Sequence, residues 1–355
     1  MKIKLNTREF HKKLERLAKL ARENKIRPVL SQVLLQAGTR LVIHATDLEQ
    51  TAIVSMEAEI QEKGNVCVNP HIVLEYLALE EQENISIEFS DGLCKIGNME
   101  FAAGDPEEFP NLKTIEGEGK IIKRNEFVRK IKSVIFAAGR NGNNIAVDVL
   151  RLDKDKIACT DSFRLVTDGY HIGLEASIPI LSTVNLLNVL EGVTDEDIQV
   201  LKVENNMQIT AGDYTYMTRL IDLAFPDVSG IINNINHTKK ATVNILKIEK
   251  ALKKANISAS KNMEAKDSAT FQFSKGKLEI RAISNSTKSK EKLQIEYEGE
   301  DLKVALNVRY MLDFVSRVNS NLVMEFSDNK SAFKLTELGN DEYKYVMMPL
   351  AIREE

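Results

Sequence analysis

The chain has 355 residues, 43% of them hydrophobic and 28% charged, with a formal net charge of −4. That length suits two or three domains, and no apolar run approaches the roughly 18 residues of a membrane span. The three cysteines, Cys67, Cys94 and Cys159, lie far apart in apolar strand patterns, which predicts buried, reduced thiols in a cytoplasmic protein and argues against disulfides or a cysteine metal site.

Residues 1–6 alternate like a strand and lack the apolar core of a signal peptide. Asn6 is a good helix cap, with Glu9 three residues on. Phe10, Leu14, Leu17, Ala18 and Ala21 then form one apolar stripe, and Lys12, Arg16 and Lys19 share another face. Alternating strands are expected at 32–37 and at 41–47, the latter ending Ala45-Thr46-Asp47. Asn69-Pro70 opens a second helix to Leu77, a strand follows at 85–89, and Phe109-Pro110 marks a turn. The same order then recurs. Phe127, Ile131, Val134 and Ala138 stripe a helix that carries Arg129 and Lys132 outside the stripe. Strands are expected at 148–152 and 156–161, a helix at 182–190, and a turn at Phe225-Pro226. Last, Ile248, Leu252 and Ala255 stripe a helix whose Lys247, Lys250 and Lys254 share a face. A strand at 278–284, a helix at 307–315 and the pair Met348-Pro349 complete the series.

Three landmarks repeat at nearly one interval. The strand-ending positions Thr46, Thr160 and Ser284 are separated by 114 and 124 residues, the prolines Pro110, Pro226 and Pro349 by 116 and 123, and the helix openings Phe10, Phe127 and Ile248 by 117 and 121. Such a period is too long for a solenoid repeat and has the size of a domain. The expected organisation is three tandem α+β copies, 1–118, 119–238 and 239–355, each with antiparallel sheet and two helices. Repeated domains without a catalytic insert point to a shape such as a rod, a ring or a scaffold.

The sequence contains no GxxxxGK[ST], GxSxG, HExxH or GxGxxG. His44, Asp47 and Glu49 are the best catalytic-looking cluster, but a strand ending in an Asx turn explains them better. A basic face on one helix is ordinarily solvated. Three at equivalent positions suggest a continuous basic surface for a polyanion with a regular backbone, duplex DNA, held by its phosphates without base readout. The run at 345–352 is unusually apolar, which suits either a core strand or a shallow apolar pocket for peptides. A three-domain scaffold without DNA binding and a hydrolase built on His44, Asp47 and Glu49 are the competing classes.

Several short runs, taken in order, resemble the bacterial DNA polymerase sliding clamp family, the beta subunit of polymerase III. They are Arg27-Pro28-Val29-Leu30, Ala45-Thr46-Asp47-Leu48-Glu49, Phe109-Pro110-Asn111-Leu112, Thr160-Asp161-Ser162-Phe163-Arg164-Leu165, Phe225-Pro226-Asp227 and Tyr345-Val346-Met347-Met348-Pro349-Leu350. The resemblance spans the whole chain. It implies three clamp domains per chain, with sheets outside and helices inside, and a head-to-tail homodimer closed into a ring. It implies a processivity role without catalysis, cofactor or metal. The partners would be duplex DNA, the replicative polymerase, the clamp loader, and other polymerases and repair proteins.

Carried over by position, the resemblance implies a partner pocket of Thr160, Phe163, Arg164, Leu165, Pro226, Ile231, Val346, Met348, Pro349 and Leu350. It also implies DNA-facing Arg27 and Arg140 and dimer contacts at Phe101 and Ile257. Lys12, Arg16, Lys132, Lys250 and Lys254 rest on helix geometry alone. The sequence departs from the family pattern at Phe163, commonly His or Tyr, at Gly230, where a basic residue can occur, and at Ala351, where the family usually has Arg; here Arg353 follows instead.

Overall fold

Asn6 caps the first helix as its position demands: its side chain accepts a hydrogen bond from the Glu9 amide at 2.9 Å. Glu9 does not complete a capping box. Its carboxylate turns to Lys13, one helical turn on, at 3.0 Å. The structure, a computed structural model, describes residues 1–140, 142, 144–235 and 237–351. Seven helices are formed among these residues: α1 (Thr7–Ala18), α2 (Pro70–Leu77), α3 (Arg124–Val134), α4 (Ile180–Leu190), α5 (Val228–Asn233), α6 (Ile245–Ala259) and α7 (Val308–Val315). The sequence pattern anticipates six of them. The exception, α5, is capped by the Asp227 side chain, which accepts from the Gly230 amide at 3.0 Å.

The chain forms two compact units, one of Met1–Arg129 with Ile178–Asp222 and one of Lys130–Ser177 with Leu223–Glu355. The first holds a five-stranded sheet that ends in strand Met99–Ala102 and an eight-stranded sheet. Within the eight-stranded sheet, Gln50–Met56 pairs with Tyr214–Arg219, antiparallel. The second unit contains the central strands of a nine-stranded sheet, in which Arg164–Gly169 pairs with Asn340–Met347, also antiparallel. It also holds a four-stranded sheet with Lys288–Gln294 at one edge. The fold is therefore α+β with antiparallel sheets.

The amphipathic stripes read from the sequence are the core. Phe10, Leu14 and Leu17 of α1, Phe127 and Ile131 of α3, and Ile248 and Leu252 of α6 are fully buried, and burial of such side chains contributes about 1.5–3 kcal/mol each. All three cysteines are free and buried. Desolvation pushes the thiols of Cys67 and Cys94 up to about 12 and raises that of Cys159 further. Among the described residues no helix is long and apolar enough to cross a membrane.

Candidate functional site

Strand Lys156–Thr160 turns into strand Arg164–Gly169 through a tight hairpin. The Asp161 carboxylate accepts from the amides of Phe163 and Arg164, both at 3.0 Å, and from Arg164 Nε at 2.9 Å. The Ser162 amide donates to Thr160 Oγ1 at 3.1 Å. This Asx turn fixes the direction of the next two side chains. Phe163 projects into solvent, 65% exposed, and Leu165 packs inward with Val346, Ala158 and Val228. Phe225, Ile232, Ile235 and Ala332 close over that apolar cluster. Beside it lies a cleft of about 370 Å³ whose lining includes Phe225, Pro226 and Val228 together with Arg151, Asp153 and Lys156.

The sequence suggests an apolar and a basic side chain exposed together after the strand. Only Phe163 is exposed. The Arg164 guanidinium turns inward and stacks on the Tyr310 ring, 4.0 Å from its centroid. It donates to Asp313 at 2.6 Å and to the Phe136 carbonyl at 2.7 Å. Burial by itself would lower its pKa, but Tyr345, Asp313 and Asp161 outweigh burial and raise it. With every arm of its fork committed, Arg164 shapes the hairpin and presents no charge to a ligand.

The C-terminal run lies along the same hairpin. Val346 pairs with Leu165 across the sheet, and the Met348 amide donates to the Phe163 carbonyl at 2.9 Å. Met348 is exposed and Pro349 and Leu350 are half-buried; Leu350 leaves the hairpin to bond Ala305 at 2.8 Å. Pro226 is half-buried, and Ile231 on α5 is 40% exposed. The structure thus brings Thr160, Phe163, Leu165, Val346 and Met348 together. Sequence reasoning missed Ala158, Val228 and Ile232. The Asp227 cap of α5 was the available signal for the last two. Ile352 and Arg353 lie outside the described residues.

Of the basic residues, Lys12, Arg27, Lys132, Arg140 and Lys250 are exposed. Arg16 is half-buried and bound to Asn188 at 3.1 Å and Glu191 at 3.6 Å, and Lys254 pairs with Glu291 at 2.9 Å. Those two charges are partly neutralised within the chain. Phe101 is buried against Tyr76, ring centroids 6.0 Å apart, while Ile257 on α6 is 58% exposed. The Asp47 carboxylate accepts from the amides of Glu49 and Gln50 at 3.0 and 2.8 Å, an Asx turn, and His44 faces Gln36. Among the described residues no group of His, Cys, Asp and Glu is placed to hold a metal.

Two family models match the chain. The N-terminal domain of the DNA polymerase III beta subunit matches residues 1–113, and its C-terminal domain matches residues 235–351. The beta sliding clamp of Pseudomonas putida is 24% identical, covering 96% of this chain and 97% of the relative. That of Haemophilus influenzae is 25% identical, covering 92% and 93%. Among solved structures, the DNA polymerase III beta subunit of Thermotoga maritima superimposes with a TM-score of 0.91 at 21% identity, over 99% of this chain and all of that one. The Pseudomonas aeruginosa sliding clamp does so with a TM-score of 0.87 at 23% identity, with the same coverage.

Proposed function

The chain belongs to the DNA polymerase III beta subunit family, and on that premise we infer that it works as a sliding clamp, a ring around duplex DNA that tethers the replicative polymerase for processive synthesis. The observation that carries this reading is a junction made twice. The strand that leaves the hairpin after Thr46 pairs with Tyr214–Arg219, and the strand that leaves the hairpin after Thr160 pairs with Asn340–Met347. In a chain of three copies, 1–118, 119–238 and 239–355, each such junction joins one copy to the next. The third copy's strand, Lys288–Gln294, and the first copy's last strand, Met99–Ala102, are both sheet edges. A homodimer that pairs these edges head to tail closes a ring and removes two unpaired strand edges per chain.

A ring needs only weak, sequence-independent phosphate contacts, because topology retains it. Lys12, Arg27, Lys132, Arg140 and Lys250 are the exposed cations that would supply them. Tethering makes each polymerase rebinding event intramolecular. The apolar cluster around Leu165 and Val346, flanked by exposed Phe163 and Met348, is the surface we assign to short apolar motifs of the polymerase, the clamp loader and repair proteins. In this reading the chain has no catalytic activity and no cofactor, and it works in the cytoplasm, where the bacterial chromosome is copied.

Retention on DNA tests the reading. After loading by a clamp loader, the protein should stay on nicked circular DNA at raised salt and run off linear DNA. Equal loss from both, with loading verified independently, refutes it.

A further inference from the structure

The residue four places after each hairpin threonine holds the junction together. Gln50 Oε1 accepts from Asn185 of α4 at 2.9 Å and from the Tyr216 hydroxyl at 2.6 Å. Arg164 donates to Asp313 of α7 at 2.6 Å. Asn185 and Asp313 occupy the same helical position, six residues after the caps Pro179 and Asn307. Three residues after those caps, the carbonyls of Ser182 and Tyr310 accept from Tyr216 and Tyr345 at 2.8 and 3.1 Å. The two junctions are one design written with different side chains.

The register extends the design to the free edges. From the position three residues before the start of the first-helix cap, pairing runs Lys120–Val200–Ile209–Tyr216 in the middle copy and Ala241–Met324–Leu335–Tyr345 in the last. In the first copy it runs Ile3–Ile87–Ile96–Met99. Met99 is therefore the counterpart of Tyr216 and Tyr345, which pair with Ala52 and Val166. The matching position on the third copy's strand is Lys290, two residues beyond Lys288, as Ala52 is two beyond Gln50. Lys288 then falls opposite Phe101, and the helical counterpart of Asn185 and Asp313 is Glu75, six residues after the cap Asn69 of α2.

Lys288 and Glu75 are both exposed, carry opposite charges, and have no ion-pair partner among the described residues. We propose that Lys288 of one chain pairs with Glu75 of a second copy, and that this ion pair keys the ring-closing junction; the proposal rests on the clamp reading above. The two junctions within the chain use a buried side-chain network at Gln50 and a mostly buried Arg164–Asp313 ion pair stacked on an aromatic ring. The closing junction uses a lysine and a glutamate, each exposed in the single chain. Such a pair is screened by salt far more than a buried one, so closure is the salt-sensitive step among three otherwise equivalent junctions.

Sedimentation velocity on the full chain, at low and raised salt, tests this with Lys288→Glu, Glu75→Lys and the double exchange. Each single exchange should weaken the dimer about tenfold or more, as expected for a close interfacial charge pair, and the double exchange should restore it. The losses should shrink at raised salt, and thermal unfolding of each variant should match the parent. A parent dimer that ignores the single exchanges, or a double exchange that rescues nothing, overturns this pairing and leaves the clamp reading standing. A parent chain that is monomeric at every concentration overturns both.

Discussion

Leu48 and Ser162, 114 residues apart, share one left-handed backbone conformation, φ 77° and 75°, although neither is glycine. Each is the residue whose amide donates back to the hairpin threonine, Thr46 or Thr160, at 3.0 and 3.1 Å. That bond holds the chain in a region L-residues avoid. Leu48 is half-exposed and buries little apolar surface in this single chain. Leu48→Gly and Ser162→Gly should therefore leave stability unchanged or raise it by up to about 1 kcal/mol, relief of strain outweighing the glycine's extra unfolded-state entropy. Urea midpoints of the two variants check this; a clear loss would mean the side chains themselves hold the turn.

Arg164 is the costlier position. Replacing it with Met leaves Asp161 and Asp313 without their cation in a mostly buried setting, and should destabilise the protein by about 3 kcal/mol. Arg164→Lys should recover only part of that, because an ammonium cannot bond three groups in a plane while stacking on Tyr310. Chemical denaturation resolves the order of the three proteins.

Phe163 and Leu165 separate binding from folding. Phe163→Ala should change stability by less than about 0.5 kcal/mol and reduce affinity for a polymerase-derived apolar peptide by about tenfold or more. Leu165→Ala should cost about 2–4 kcal/mol through the cavity it leaves. Fluorescence anisotropy with a labelled peptide, paired with thermal melts, distinguishes the two. Equal peptide affinity in Phe163→Ala and the parent would remove Phe163 from the pocket.

Glu279 sets an acid limit on the sheet that carries the closing edge. Burial alone would raise its pKa, but Arg281, Lys290 and Lys277 surround the carboxylate and bring it down to about 2 from an ordinary 4.5. A depressed carboxylate contributes stability that is fully present above its unfolded pKa and lost as pH falls through the folded one. Urea midpoints should therefore decline between pH 4.5 and about 2, and Glu279→Gln should flatten that decline while lowering stability at neutral pH.

Local rules made the fold legible. Helix caps at Asn6 and Asn69 and the apolar stripes of α1, α3 and α6 depend only on spacing within a few residues, and they stand where the sequence puts them. The site was less legible, because its key partners are distant in sequence. Arg164 reads as an exposed cation until Tyr310 and Asp313, roughly 150 residues on, are brought beside it. Arg16 and Lys254 read as free basic charges until Glu191 and Glu291 arrive from other elements. The short α5 escaped because six residues are too few for a periodic pattern, leaving only the cap at Asp227 to announce it.

The three sequestered thiols leave the folded surface chemically silent toward maleimides. Burial keeps Cys67, Cys94 and Cys159 protonated at neutral pH and out of reach of reagents. A single cysteine introduced at an exposed position, such as Leu246 on α6, would then be the one reactive sulfur on the native protein. A dye attached there could follow one molecule's residence on a DNA circle without first rebuilding the core to remove its native thiols.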